Sequence, residues 1–173
     1  SPLPKELQLD IDQATGQYVF EDQYNAEPIT ALSNVRYGLT PATVVEFELA
    51  QDPTNGDPYD NQGAVWVGRT TCPSGSQRMV VEILETTAND LDVFVGIGST
   101  PHVGLQKASS TEPGPMEYLN IFQPSFSGSC WILVQNWESS EPGAIDPIKL
   151  AYGFVPKTTS TNYTITGPAS VPA

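Results

Sequence analysis

The stretch QRMVVEILETTANDLDVFVGIG, residues 77–98, contains the pattern that decides the fold class. Residues 79–84 and 90–97 each alternate between a strictly apolar set of side chains and a more mixed set, and both segments are rich in β-branched residues. Such period-2 alternation is the signature of a half-buried β-strand. Residues 86–89, which separate the two segments, are of types that tolerate turn geometry. The stretch therefore predicts two strands joined by a short polar turn.

The second of these strands predicts an acidic face. Asp90 and Asp92 lie two positions apart and point to one side of the strand, while Leu91 and Val93 point to the other side. We therefore expect a sandwich whose outer face carries carboxylates and whose inner face is a hydrophobic core.

Further strand patterns occur along the chain, separated by turns that contain Pro and Gly. They cover residues 7–11, 17–21, 29–39, 43–50, 64–72, 117–122, 129–137, 147–155 and 162–166, whereas residues 99–116 form a long irregular passage. This spacing, without helical repeats, predicts an all-β fold, an antiparallel jelly-roll-like β-sandwich. We expect one domain over residues 1–173, with 1–41 as a small separate sheet or N-terminal extension, 42–155 as the core, and 156–173 as an edge strand and tail.

Net charge excludes two classes of partner. The chain has 20 acidic and 7 basic residues and a net charge of −13. Phosphate backbones and anionic membrane surfaces would be repelled, so neither nucleic acid nor a membrane is an expected partner. Apolar runs also stay far below membrane-spanning length.

The chain lacks the residue patterns of common hydrolases. Its only histidine, His102, lies in the irregular passage, and no serine occupies a Gly-x-Ser-x-Gly elbow. No His/Cys cluster offers an open zinc site. We therefore expect no catalytic residues, with a carboxylate pair of the glycosidase kind as the alternative.

Calcium is the one cofactor that the sequence suggests, and none is required. The loop QDPTNGDPYDNQG, residues 51–63, concentrates oxygen ligands, including Asp57 and Asp60, and Asp90 with Asp92 supplies a second pair. The spacing does not match the helix–loop–helix calcium signature. The alternative interpretation is that the loop side chains satisfy their own backbone in turns.

Two tryptophans share one side of the strand SCWILVQNW, residues 129–137. Tryptophan is usually buried, so Trp131 is expected in the core. Trp137, at the strand end, is expected to be exposed. Together with Tyr59 of the acidic loop it is the candidate for ligand contact, and this pair is the basis for an alternative function, a carbohydrate-binding jelly-roll module.

Five segments carry a family resemblance, namely LAQDPTNGDPYDN (49–61), ANDLDVFVG (88–96), EYLNI (117–121), SGSCWILVQNW (127–137) and DPIKLAYGFV (146–155). In this order they resemble the C-terminal accessory domain of secreted bacterial subtilisin-like serine proteases, which is similar to the pre-peptidase C-terminal family. The resemblance implies a secreted, non-catalytic jelly roll that follows a peptidase domain and assists folding, secretion or substrate engagement. It also implies that the domain is often removed during maturation, and that some relatives bind calcium or an insoluble protein such as collagen.

Cys72 and Cys130 are far apart and have no CxxC spacing, which leaves one long-range disulfide or two free thiols. The positions at which the family often has cysteines hold Ala108 and Asn120 here, so no family disulfide can be transferred. Each cysteine lies at the end or start of a strand that flanks the two strands of residues 77–98, and an exported domain meets an oxidising environment. We therefore predict a Cys72–Cys130 disulfide.

Overall fold

The computed structural model of the chain describes residues 40–157. The strands predicted at residues 7–11, 17–21, 29–39 and 162–166 lie outside the described residues, as do nearly all of the predicted small sheet at 1–41 and most of the tail.

Eight β-strands and one 3-10 turn make up the described chain. Their bounds are β1 Thr43–Ala50, β2 Trp66–Cys72, β3 Ser76–Thr86, β4 Asp90–Ile97, the turn Val103–Leu105, β5 Gln106–Ser110, β6 Tyr118–Phe122, β7 Gly128–Glu138 and β8 Ile145–Pro156. Within residues 40–157 there is no helix that is long and apolar enough to cross a membrane.

The strands form two four-stranded sheets with the orders β1-β8-β3-β6 and β2-β7-β4-β5. Every pairing is antiparallel. Of the described strands, β4 and β5 are the only consecutive pair that lies in one sheet. Every other connection between consecutive strands crosses from one sheet to the other. This strand order is that of an eight-stranded jelly roll. The predicted all-β, jelly-roll-like sandwich is therefore confirmed.

The core lies between the sheets and is made of the apolar side chains that alternate along each strand. Its largest fully buried members include Met79, Ile83, Leu91, Ile132 and Leu150. Across the core, the ring of Phe47 on β1 stacks on that of Trp66 on β2, with ring centroids 4.4 Å apart. In β3 and β4 the inward side is thus the side that the alternation indicated.

The predicted disulfide is present. Cys72 ends β2 and Cys130 lies on the neighbouring strand β7, with 5.9 Å between their Cα atoms. Both side chains are buried in the core. A disulfide is consistent with an oxidising, extracellular location.

The two strands predicted within residues 77–98 are present as β3 and β4, and they belong to different sheets, because the connection at residues 87–89 crosses between the sheets. The prediction of a long irregular passage after them was wrong. The passage at 99–116 contains β5, whose sequence QKASS shows no apolar alternation. It forms a strand because it pairs with β4.

Candidate functional site

The outer face of the sheet β2-β7-β4-β5 is partly covered by the loop between β1 and β2. Val65, Phe94, Trp131 and Leu133 form a second apolar cluster on this face, and Tyr59 and Val67 pack against it. Trp131 is fully buried, as predicted, but in this outer cluster. The outer face was expected to be exposed to solvent. Its central part is instead buried, because residues 51–65 pack over it as a third layer.

The absence of a side chain at Gly96 leaves room for the ring of Trp131. A Cβ atom added at Gly96 would lie 2.0 Å from the Trp131 ring. The indole Nε1 donates a 3.0 Å hydrogen bond to the carbonyl oxygen of Ile97. The glycine on β4 thus provides the space that the neighbouring β7 side chain occupies.

Tyr59 holds the middle of the covering loop to the sheet. Its ring makes edge contacts with Phe94 and Trp131, each with a centroid distance of 6.0 Å. Its hydroxyl donates a 2.7 Å hydrogen bond to Oε1 of Gln106. Burial, and then the charge of Asp57, raises the pKa of Tyr59 to about 12. The ring proposed for ligand contact is thus already engaged in packing within the chain.

The acidic side chains of the loop bind other groups of the loop. Oδ1 of Asp57 accepts from the backbone N–H of Tyr59 at 2.9 Å, and Oδ1 of Asp60 accepts from Oγ1 of Thr54 at 2.8 Å. Oδ1 of Asn61 accepts from the N–H of Gly63 at 3.2 Å. The contacts of Asp57 and Asn61 are bonds to the backbone of the loop itself, as the alternative to calcium binding described, whereas Asp60 binds a side chain.

Asp52 connects the loop to the sheet. It is only 1% exposed, and its Oδ2 accepts a 2.7 Å hydrogen bond from Nε2 of Gln135, a fully buried residue of β7. The same Nε2 lies 3.2 Å from the carbonyl oxygen of Asn55. Oε1 of Gln135 has no hydrogen-bond partner within the described chain.

Beside Gln135 lies a group of carboxylates on β4 and on the segment that leads to β6. Asp92 is directly opposite Gln135 in the β4–β7 register, and directly opposed residues place their side chains on the same face. Oδ1 of Asp90 accepts from the N–H of Gly114 at 3.0 Å. Glu117 is 3% exposed. We call Asp90, Asp92, Glu117 and Gln135 the acidic corner.

Electrostatics in the acidic corner disfavour the ionised carboxylates. Burial, and then the charges of Asp90 and Glu117, raises the pKa of Asp92 to about 6. The pKa of Glu117 is also raised, first by burial and also by Asp90 and Glu112, although a hydrogen bond from Ser110 opposes the shift. No basic side chain within residues 40–157 contributes to either shift. No cation among these residues therefore balances the negative charge of the corner.

Trp137 borders this corner. The register between β4 and β7 shifts between Asp90, which faces Glu138, and Leu91, which faces Asn136, so Trp137 occupies a β-bulge. Its side chain is 39% exposed, as predicted. Nδ2 of Asn55 donates to the Trp137 carbonyl oxygen at 3.1 Å. The backbone of Trp137 is thus fixed while its ring remains accessible.

A buried polar network on the inner side of β7 closes the same end of the sandwich. Nδ2 of Asn136 donates to Oδ2 of Asp146 at 3.1 Å and to the carbonyl oxygen of Leu49 at 3.0 Å. Oγ1 of Thr87 donates to Oδ1 of Asp146 at 2.8 Å. Burial opposes ionisation of Asp146, but the hydrogen bonds from Ser140, Thr87 and Asn136 outweigh it and lower the pKa of Asp146. This network joins β1, β7 and β8.

The sequence-predicted calcium candidates fall into two groups. Within residues 40–157, no hydrogen bond joins Asp57 or Asp60 to Asp90 or Asp92, and no three Asp, Glu, His or Cys side chains are arranged to hold a metal ion. His102 is exposed, and its Nδ1 accepts from the N–H of Gly104 at 3.0 Å. Gln135 and Glu117 could not be identified as site residues from the sequence, because neither residue type is normally buried.

Compared with known proteins, the chain matches no family model and no curated protein sequence.

Proposed function

We propose that this chain is a non-catalytic accessory domain of a secreted subtilisin-like peptidase, which assists folding, secretion or substrate engagement. The observation that carries the proposal is the placement of the five segments in which the chain resembles such domains. They contribute the covering loop and the strands β4, β6, β7 and β8 of one jelly roll. Segments that are far apart in sequence thus belong to one structural unit, as the proposal requires.

Hydrogen bonds between these segments give further support. The loop segment meets the β7 segment through Asp52 and Gln135, and the β7 segment meets the β8 segment through Asn136 and Asp146. The segment that contains β4 joins the end of β7, because the N–H of Asn89 donates to the carbonyl oxygen of Glu138 at 2.9 Å. The residues that carry the resemblance are thus those that hold one end of the sandwich together.

Calcium remains part of this proposal as a ligand that stabilises the domain. Asp90 and Asp92 of the acidic corner fit a hard cation better than Asp57 and Asp60, since the latter two bind groups of their own loop. A calcium-dependent rise in melting temperature, reversed by chelator, would support binding. An unchanged melting temperature in millimolar calcium would contradict it.

Activity measurements test the non-catalytic role. We expect the purified 173-residue chain to leave casein and p-nitrophenyl esters unhydrolysed. Amide hydrolysis requires an activated nucleophile or a metal-bound water, together with stabilisation of the oxyanion. Turnover that disappears in a His102→Ala variant would overturn the proposal.

The alternative is a carbohydrate-binding jelly-roll module, and the exposed Trp137 ring favours it. Aromatic faces are the usual stacking surface for ligands of this kind. Tyr59 contributes less, because its ring packs on Phe94 and Trp131. Retention of the chain on an insoluble polysaccharide, and its loss in Trp137→Ala, would favour this alternative over the accessory domain.

A further inference from the structure

The acidic corner has more hydrogen-bond acceptors than donors. Asp92 accepts no hydrogen bond that contributes to its pKa, which burial and neighbouring carboxylates raise to about 6. Gln135 is fully buried, and its Oε1 has no partner within the described chain. Buried acceptors without donors are rare in folded proteins, so this group requires an explanation.

The hydrogen bonds of the Gln135 side chain fix which way its amide group points. Nε2 of Gln135 is held on the loop side by Asp52 and by the Asn55 carbonyl oxygen. The planar amide therefore turns Oε1 away from the loop. Asp92 is the residue directly across from Gln135 on the neighbouring strand. The corner thus combines a buried free acceptor with partly exposed carboxylates.

Trp137 adds an accessible aromatic ring to the edge of this corner. It lies in the β-bulge of β7 between Asn136, which faces Leu91, and Glu138, which faces Asp90, and the residue is 39% exposed. A cation over an indole face is attracted to the ring, and a planar guanidinium can also stack on it. The ring and the carboxylates therefore favour the same kind of ligand.

We propose that the acidic corner and Trp137 bind the guanidinium group of an arginine side chain on a protein. A guanidinium carries a permanent positive charge and five N–H donors in a planar fork. It would supply the charge that no basic side chain of the corner provides, and donors for the carboxylates. The proposal rests on the proposed function, because an accessory domain that engages protein substrates meets such side chains.

Two short peptides that differ in one group test the proposal on the unmodified chain. The first is a blocked Gly-Gly-Arg-Gly-Gly peptide, and in the second citrulline replaces arginine, which removes the charge but keeps the shape. We expect the arginine peptide to shift the NMR signals of the Trp137 indole and the Gln135 side-chain amide. The citrulline peptide should bind at least about tenfold more weakly, because charge-assisted hydrogen bonds are lost.

Variants then locate the site. Asp92→Asn and Trp137→Ala should each weaken arginine-peptide binding by about tenfold or more. Glu141→Gln removes one charge from an exposed side chain of the β7–β8 loop and should leave binding unchanged. The Trp137 variant keeps the backbone carbonyl that Asn55 binds. If a variant does not fold, the two peptides still decide the question on the unmodified chain.

Equal binding of both peptides, or no binding of the arginine peptide, would overturn the proposal. The proposal would also be overturned if calcium chloride shifted the NMR signals of the acidic corner and the arginine peptide did not. The ligand of the corner would then be a metal ion. None of these results would bear on whether a peptidase domain precedes the chain, so the two proposals fail separately.

Discussion

Nε2 of Gln135, in the middle of β7, donates a 2.7 Å hydrogen bond to Oδ2 of Asp52, in the loop that covers the outer face of its sheet. Asp52 is 1% exposed, so its carboxylate depends on this donor and on Thr54, whose N–H and Oγ1 approach Oδ1 at 3.1 Å and 3.2 Å. This buried contact is one of those that hold the covering loop over the second apolar cluster, together with the contacts of Tyr59.

Gln135→Leu should therefore destabilise the domain. The substitution leaves the buried Oδ2 of Asp52 without its donor, which costs about 1–3 kcal/mol. Urea unfolding followed by tryptophan fluorescence measures the change. Asp57→Asn in the same loop is the matched control, since Asp57 is exposed and the amide oxygen of Asn can still accept from Tyr59. Equal stability of Gln135→Leu and the natural chain would contradict this role.

Asp92→Asn should stabilise the domain at neutral pH. The folded chain raises the pKa of Asp92 from 3.8 to about 6, so folding favours the protonated form. The stabilising contribution of the proton is complete below about pH 4 and is lost as the pH rises through about 6. Because Asp92 is partly exposed, we expect a gain of roughly 1 kcal/mol at pH 7 after allowance for solvent screening.

Thermal melts of the natural chain and of Asp92→Asn between pH 3 and pH 8 measure this difference. The two curves should diverge between about pH 4 and pH 6 and run parallel above that range. Glu141→Gln, a charge removal at an exposed position, should show no such divergence. If the variant is less stable than the natural chain at pH 7, the folded structure favours the ionised Asp92 carboxylate. That result would contradict the raised pKa.

Gly96→Ala should be strongly destabilising. The added methyl group would lie 2.0 Å from the Trp131 ring and 2.6 Å from the carbonyl oxygen of Leu105, so a backbone atom and a fully buried ring would both have to move. Overpacking of this kind costs about 1–3 kcal/mol or more. Gly56→Ala, with no atom within 4 Å of the added carbon, is the control and should change stability little. Similar unfolding midpoints for the two variants would contradict the packing.

Loss of the disulfide should lower stability substantially. Cys72 and Cys130 are 58 residues apart, and a cross-link over that distance stabilises by about 4 kcal/mol in the chain-entropy model. The double variant Cys72→Ala, Cys130→Ala should therefore unfold at much lower urea concentration. Thiol titration of the denatured, unreduced protein should detect no free sulfhydryl. Two titratable thiols would contradict the bond.

Alternation along single strands was enough to predict much of this fold. Leu91 and Val93 are buried and Asp90 and Asp92 point outward, because the two-residue period of a strand is a local property. The exposure of Trp137 followed from its position at a strand end. Such features depend on the residue and its neighbours in sequence.

Features that depend on distant residues could not be predicted in this way. Phe94 shares the outward side of β4 with the aspartates, yet it is buried, because the loop that carries Tyr59 crosses over it. Gln135 is buried because Asp52 satisfies its amide nitrogen, and β5 is a strand because β4 pairs with it. In each case a partner far away in sequence determines the environment.

The residues encoded immediately upstream of Ser1 test the central claim most directly. If the chain is an accessory domain of a secreted subtilisin-like peptidase, sequencing the gene should find a peptidase domain there, with a Gly-Thr-Ser-Met-Ala segment around its catalytic serine. A gene in which a signal peptide directly precedes Ser1, with no peptidase domain on either side, would contradict the account.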